Sequence, residues 1–429
     1  MTLAVVASAL MSLVVLAGCA AGGGSAGPTA SVAPTAVPSP SQTPVRIPPT
    51  PTPSSLAGTV TLWLDWGPRE IEALRGLIDL FEAEHPEVSF RLTYFETDEL
   101  LSRFEQAVPE GAGPSLLFGP DVWGPILLES GMIQDITGLL APGVIAGIHP
   151  LALEQVTYEG MMLGAPLELQ GVVLYVNRGL MPDPAETVDD LIPPDGLAAR
   201  IQGTQGALDY GMLYSASNLE TCGGEILLPG GEPGFGGRAG VCWIGLMAHL
   251  ARAGPVTFNS DDDLALFEAG RAAWMLEGTW ALDRVGLAIG PENLAIDPWP
   301  VYEVTGMPMT GFVRTENIYL AAGLSPQDRE ASWEFMRYLL TSEAQGILAA
   351  PRGAAHLPAA VGIYLSDPRM SQAMAAVLQG VPFPITPDAA LAAQPLERAI
   401  FAVLRQGTTP DFSIRRALAD VRRLLAEAP

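Results

Sequence analysis

An α/β fold with parallel strands is what the sequence predicts, and three observations carry the prediction. From residue 58 onward, strand-like alternation and helix-like periodicity take turns. The first helix-like stretch lies between two strand-like ones, as a crossover between parallel strands requires. A later run, Val172 to Val176, is wholly apolar and reads as a strand buried on both faces.

The elements follow in order. Residues 59–65 alternate and are rich in β-formers, so they predict a strand. Pro68 suits the first turn of a helix, and Ile71, Leu74, Ile78 and Phe81 then recur at helical spacing. His85-Pro86 ends that helix. Val88 to Tyr94 alternate again, and Ser115 to Phe118 form a third short strand. Asp263 to Trp274 predict a helix with Ser260 or Asp261 as cap. Ser325-Pro326 opens another helix, with Phe335 and Leu339 four apart. Arg369 to Leu378 and Pro395 to Leu404 are helical. Ile414 to Leu425 closes the chain as an amphipathic helix with Arg415, Arg416, Arg422 and Arg423 outward.

Composition narrows the function classes. The chain has 429 residues, enough for two or three domains, and 48% are hydrophobic, enough for a sizeable core. Its net charge is −25, and all 22 of its cations are Arg. That balance argues against nucleic-acid or anionic-membrane binding, which needs clustered positive charge. Without Lys there is no Walker A lysine and no Schiff-base chemistry. The four His are scattered, and neither a metal site nor a cofactor is expected.

The N-terminus carries its own signals. Residues 1–18 are uncharged and mostly apolar, short for a membrane span and right for a signal-peptide core. They end at Leu16-Ala17-Gly18-Cys19, which resembles the lipobox of bacterial lipoproteins, with Cys19 carrying the lipid. No Lys or Arg precedes the apolar run, a departure from that pattern. From there to residue 57 the chain is Ala, Gly, Ser, Thr and recurrent Pro, too poor in apolar groups to offset ordering entropy. It predicts a solvated tether reaching at most ~100 Å. Two further cysteines, Cys222 and Cys242, are expected to pair outside the cytoplasm, closing a Gly-rich loop.

Several stretches together resemble the extracellular solute-binding proteins of ABC importers, specifically the maltose/maltodextrin-binding-like group. They are Val60 to Asp65, Phe81 to Val88, the strand from Pro166 to Asn177, Phe267 to Met275, and Gly278-Thr279-Trp280. Pro298-Trp299-Pro300, Gly311, Arg352-Gly353-Ala354 and Asp367-Pro368-Arg369 follow in the family's order, while Arg271 stands where Lys is usual. The resemblance implies a periplasmic-binding-protein-like type II fold, two α/β lobes joined by a hinge with a ligand cleft between them. It puts residues 58–168 plus 302–350 in the first lobe and 169–301 plus 351–429 in the second. It implies a monomer anchored by lipid on the extracytoplasmic face of the cell membrane. Its partners would be a carbohydrate ligand and the transmembrane subunits of an ABC permease. It would not be an enzyme, would bind no nucleic acid and would touch the membrane only through its anchor.

Sugar rings need aromatic platforms and a rim of carboxylates, amides and Arg. Trp63, Asp65 and Trp66 sit at the end of the first strand, where open α/β sheets place ligand residues. Trp63 and Asp65 also match family ligand positions. Asp121 and Trp123, with Phe118 before them, follow the third strand in the turn from which the family reads sugar. By the same resemblance Gln170 stands where maltose binders carry a carboxylate. Tyr210 and Tyr214 lie in a segment of aromatic contacts, Trp280 matches the stacking tryptophan, and Arg398 matches an arginine near the cleft. Glu96, after the second strand, is either a cleft residue or a solvated acid. Leu391 to Pro395 lacks the aromatics that maltodextrin binders carry there, which points to a shorter or different ligand.

Two other function classes remain open from sequence. A lipoprotein carbohydrate-active enzyme needs only two carboxylates across a sugar, and acids are plentiful, although no HExxH, GxSxG or Walker pattern occurs. A sugar sensor or adhesin would need the same cleft without a permease. Gly234 to Ala239 fits a loose dinucleotide fingerprint but reads as a turn between the cysteines. Asp261-Asp262-Asp263 reads as an acidic helix start.

Overall fold

The computed structural model describes residues 56–192 and 203–428. The expected leader, Cys19 and all of the tether before Leu56 lie outside the described residues. Among the described residues no helix is long and apolar enough to cross a membrane.

The first strand, β1 (Gly58–Leu64), forms because Val60, Leu62 and Leu64 face inward at every second position. Helix α1 (Pro68–Glu84) starts on Pro68 and buries Leu74, Leu77, Ile78 and Phe81, spaced three and four apart. It ends at His85, and β2 (Val88–Tyr94) pairs with β1 in parallel. After α2 (Thr97–Ala107), β3 (Leu116–Pro120) pairs with the other side of β1, also in parallel. Helices α3 (Trp123–Glu129) and α4 (Pro150–Gln155) lead to β4 (Ala165–Asn177), thirteen residues all buried except half-buried Gln170. The apolar run at 172–176 is thus the second half of one long strand.

Next come β5 (Thr204–Asp209), α5 (Gly237–Leu250), β6 (Val256–Thr257) and α6 (Asp262–Glu268). The helix expected over 263–274 stops at Glu268. Gly270 takes a left-handed φ of 65°, and Ala272 onward is the fully buried β7 (Ala272–Gly278). Its seven buried residues belong between two covered layers, and that overrides the helical spacing. Then follow α7 (Leu282–Ile289), β8 (Leu294–Asp297), β9 (Phe312–Leu320), α8 (Pro326–Leu339) and α9 (Ser342–Ala349). The chain finishes with β10 (Leu357–Pro358), α10 (Pro368–Val377), β11 (Val381–Pro382), α11 (Ala393–Gln406) and α12 (Pro410–Glu427).

The sheet runs β2-β1-β3-β9-β4-β7-β5-β6, with β8 and β10 added on β4 and β11 on β9. It is mixed rather than purely parallel. β1, β2 and β3 are parallel to one another, and β5 is parallel to β7 and β6. β9 and β4 run antiparallel between these groups. Buried apolar side chains gather in two large clusters. One contains Leu62, Leu74, Phe81 and Phe335, the other Leu174, Trp243, Trp274, Leu396 and Ile414.

Cys222 and Cys242 are disulfide-bonded, tying the turn after Leu219 to helix α5. Closing a loop of this size stabilises the fold by about 3 kcal/mol, chiefly by restricting the unfolded chain. Reducing the bond under native conditions is therefore expected to lower the urea midpoint. Cys222→Ser with Cys242→Ser should match the reduced protein, and an unchanged midpoint would refute this account.

Candidate functional site

The register of the sheet locates a convergence of strand ends, the candidate crevice. On β9, Glu316 pairs with Pro120, the last residue of β3, and with Glu168 of β4. Farther along β4, Val172 pairs with Gly278, the last residue of β7. β3 and β7 therefore run toward each other along β4 and stop four residues apart, about 13 Å at the strand rise. Ligands of open α/β sheets sit beyond strand carboxyl ends. Here two sets of such ends converge on Gln170, which pairs with Arg314 of β9.

On the β1–β3 side, Trp63 is half-buried and meets Phe95 edge to face at 4.8 Å. Asp65 is half-buried, and burial raises its pKa, with Glu70 adding to the effect and Thr97 opposing it. The Trp123 ring lies over Gly119, where any side chain would collide with it. Behind these, Gln170 donates to Glu168 at 3.0 Å. His356 lies 2.8 Å from Glu70 and 3.8 Å from Glu168. Burial works to lower the His356 pKa, but the Glu168 charge and the Glu70 hydrogen bond outweigh it and raise it. Glu316 is buried, its Oε1 has no hydrogen-bond partner, and burial followed by the Asp65 and Glu168 charges pushes its pKa well up.

On the β5–β7 side, Trp280 is 43% exposed and its indole lies against Gly278. Gly171 of β4 donates to Thr279 Oγ1 at 3.2 Å, joining this corner to the centre. Half-buried Tyr214 donates to Glu277 at 3.2 Å. The crevice thus offers an exposed indole and a second one at its opposite end, with carboxylates and an amide between. That combination suits a flat ring with an apolar face and a polar rim.

Four expected ligand residues are placed otherwise. Tyr210 is fully buried, and its hydroxyl donates to the Met247 carbonyl, so it belongs to the core. Trp66 is 5% exposed, held edge to face by Phe118 and His356, and it floors the site rather than lining it. Asp121 is fully buried, and its carboxylate accepts from Arg314, Val122 N and Thr315 N. Burial raises its pKa and Arg314 opposes the rise. Its lone pairs are spent on fixing the loop that carries Trp123. Arg398 faces α12, pairing with Asp420 at 3.6 Å, in a small cavity walled by α11, α12 and their turn. Glu96 is an exposed residue preceding α2, and Phe118 is buried.

The family question is decided by comparison. A family model described as "Bacterial extracellular solute-binding protein" matches residues 76–376. The chain belongs to that family. An extracytoplasmic location follows from membership in it. A "Maltotriose-binding protein" of Pyrococcus abyssi (strain GE5 / Orsay) is 24% identical over 303 residues, 67% of this solute-binding protein and 63% of that relative. The match thus spans less than two thirds of the relative's length. Among solved structures, the GacH receptor of Streptomyces glaucescens GLA.O aligns with TM-score 0.74 and 21% identity, over 87% of this chain and all of that one. A maltotriose-binding protein of Thermus thermophilus aligns with TM-score 0.71 and 19% identity, over 85% and all, respectively. These likenesses establish the type II periplasmic-binding-protein fold. These relatives are named as binding proteins and a receptor.

Sequence reasoning passed over Glu168, Glu277, Arg314, Glu316 and His356. A signal existed for the strand acids. Glu168 and Glu316 lie in strands buried along nearly their whole length, and a carboxyl in a buried strand needs a reason to be there. Asp263 lies in the acidic first turn of α6, as expected, and is also buried, at 2% exposed. A separate cavity of about 540 Å³ lies between α4, residues 216–227 and residues 381–385, and none of the expected ligand residues lines it.

Proposed function

We propose that this chain is the lipid-anchored ligand-binding component of an ABC importer and that its ligand is a carbohydrate. One observation carries the proposal: Trp280 stays 43% exposed on its Gly278 platform, beside carboxylates, at the point where two sets of strand ends converge. An exposed indole in a polar rim is a stacking surface for a sugar ring. Trp63, Asp65, Trp123, Gln170 and Tyr214 complete the proposed lining. The maltotriose bound by the two relatives named above is in keeping with this.

In this scheme residues 58–168 plus 302–350 form one lobe and 169–301 plus 351–429 the other. The long strand β4 crosses from the first lobe to the second at residues 168–169 and serves as a hinge segment. Ligand that touches both lobes favours the closed form by its differential affinity. The closed form would then dock on the permease, Cys19 would carry the lipid, and no catalysis occurs at the cleft.

The test is a thermal-shift screen of oligosaccharides. A ligand at 100-fold its Kd stabilises the folded state by about 2.7 kcal/mol. At least one sugar should raise the Tm, and Trp280→Ala should remove that rise while the unliganded Tm stays close to wild type. A panel without a hit, or a mutant that responds like wild type, would refute the site. Hydrolysis of a bound oligosaccharide would instead favour an enzyme.

A further inference from the structure

The corner beneath Trp280 holds more negative charge than a neutral sugar needs. β5 and β7 are parallel with Ala207 opposite Met275, so two residues on, Asp209 and Glu277 come level at the strand ends. Asp263, in the first turn of α6, acts electrostatically on Glu277, and Asp209 acts on Asp263. All three are buried: Asp209 and Asp263 are 2% exposed and Glu277 4%.

Their bonding is unequal. Asp209 accepts from the amides of Gly211 and Ser260. Glu277 accepts from Gly278 N and Tyr214 through one oxygen. Asp263 Oδ2 has no hydrogen-bond partner at all. Among the described residues no arginine is bonded to any of the three. Arg284 is paired with Glu268 and reaches Glu277 only through its field. Burial, with the charges of Asp263 and Asp261 adding, pushes Glu277 up to about 7 despite the bonds from Gly278 and Tyr214. Burial also lifts Asp263 to about 6, with Asp209 and Asp261 adding and backbone amides opposing.

Three buried carboxyls with one unsatisfied oxygen are costly unless a cation completes them. A metal ion is a poor candidate, because among the described residues no three carboxylate, His or Cys groups are grouped to hold one. An ammonium needs fewer partners than a metal ion. It brings three donors at ordinary hydrogen-bond distance and a single charge.

We infer that this corner receives a protonated amine, so that the carbohydrate taken by the crevice is an amino sugar, its ring on Trp280 and its ammonium against Glu277 and Asp263. The inference rests on the crevice being the sugar site, as proposed above. A net charge of −25 with no lysine would also draw a cationic sugar toward the protein.

Titration calorimetry on the full folded chain separates the possibilities with three trisaccharides. These are the β-1,4-glucosamine trimer, its fully N-acetylated counterpart and maltotriose. N-acetylation removes the charge and keeps the ring. The amine trimer should bind at least tenfold more tightly than the other two. At pH 6, where the amine is already charged and Glu277, raised to about 7, still holds its proton, binding should release protons, read from the buffer dependence of the heat. Glu277→Gln should cost at least tenfold in amine affinity and abolish the proton release, and the neutral sugars should lose less affinity than the amine does. Asp263→Asn should act in the same direction, and cooperative melting at or above the wild-type Tm would show that both variants fold. If neutral sugars bind, Trp280→Ala removes them and the amine gains nothing, the amine inference falls and the sugar site stands. If no trimer binds, both fall.

Discussion

Replacing Arg314 by methionine is expected to destabilise the fold by about 3–5 kcal/mol, measured by urea unfolding at neutral pH. Arg314 bonds Asp121 through Nε and Nη2, at 3.0 and 2.8 Å, and its guanidinium stacks on Phe383 at 5.2 Å. Asp121 is fully buried, so removal of the arginine strands a carboxylate with only two backbone amides for company. A surface ion pair would give a much smaller loss, below about 1 kcal/mol. The reciprocal change separates the two accounts. Adding Asp121→Asn to the methionine variant removes the stranded charge, and more than half of the lost stability should return. A single mutant within 1 kcal/mol of wild type would show that the pair carries little. The pair also matters for function: it fixes the exit of β3, from which Trp123 projects. Ligand affinity should therefore fall with stability in Arg314→Met and recover in part with the double mutant.

The alternation at 59–65 and the Pro-led period of α1 are local signals, and they gave these elements nearly to the residue. The end of α6 was not legible in the same way. Ala272 and Ala273 continue a helical stripe, and only tertiary burial of β7 between covered layers makes them a strand. The site divides along the same line. Trp280 is expected in the site because the family block around it is local, and the structure leaves it 43% exposed. Tyr210 and Trp66 were misplaced because aromatic type says nothing about depth, and each finds its partner in another element, at Met247 and at His356. The pairing of Asp121 with Arg314 spans 193 residues and had no sequence signal at all.

At pH 8, Glu277→Gln is expected to stabilise the fold by about 3 kcal/mol, and at pH 4.5 to leave it unchanged. Burial raises the folded pKa of Glu277 from 4.5 to about 7, while in the unfolded chain the carboxyl titrates in its ordinary range. Below pH 4.5 both states are protonated, and the raised pKa has no cost. Between 4.5 and 7 the unfolded chain releases a proton that the folded chain keeps, so wild-type stability falls as pH rises. Above 7 the loss is complete, and 2.5 units at 1.36 kcal/mol each give about 3 kcal/mol. Glutamine keeps an oxygen to accept from Gly278 N and Tyr214 but never ionises, so it escapes the decline. It also removes the carboxylate whose ionisation Asp263 opposes. Urea unfolding of both proteins at pH 4.5, 6 and 8 reads the difference directly, and a gap independent of pH would show that Glu277 does not titrate in this window. The same measurement connects stability to the ligand. A protonated amine against Glu277 would pull its pKa back down, so wild type saturated with the glucosamine trimer should lose less stability between pH 5 and 7 than the unliganded protein. A neutral sugar leaves the carboxyl unpaired and the pH dependence in place.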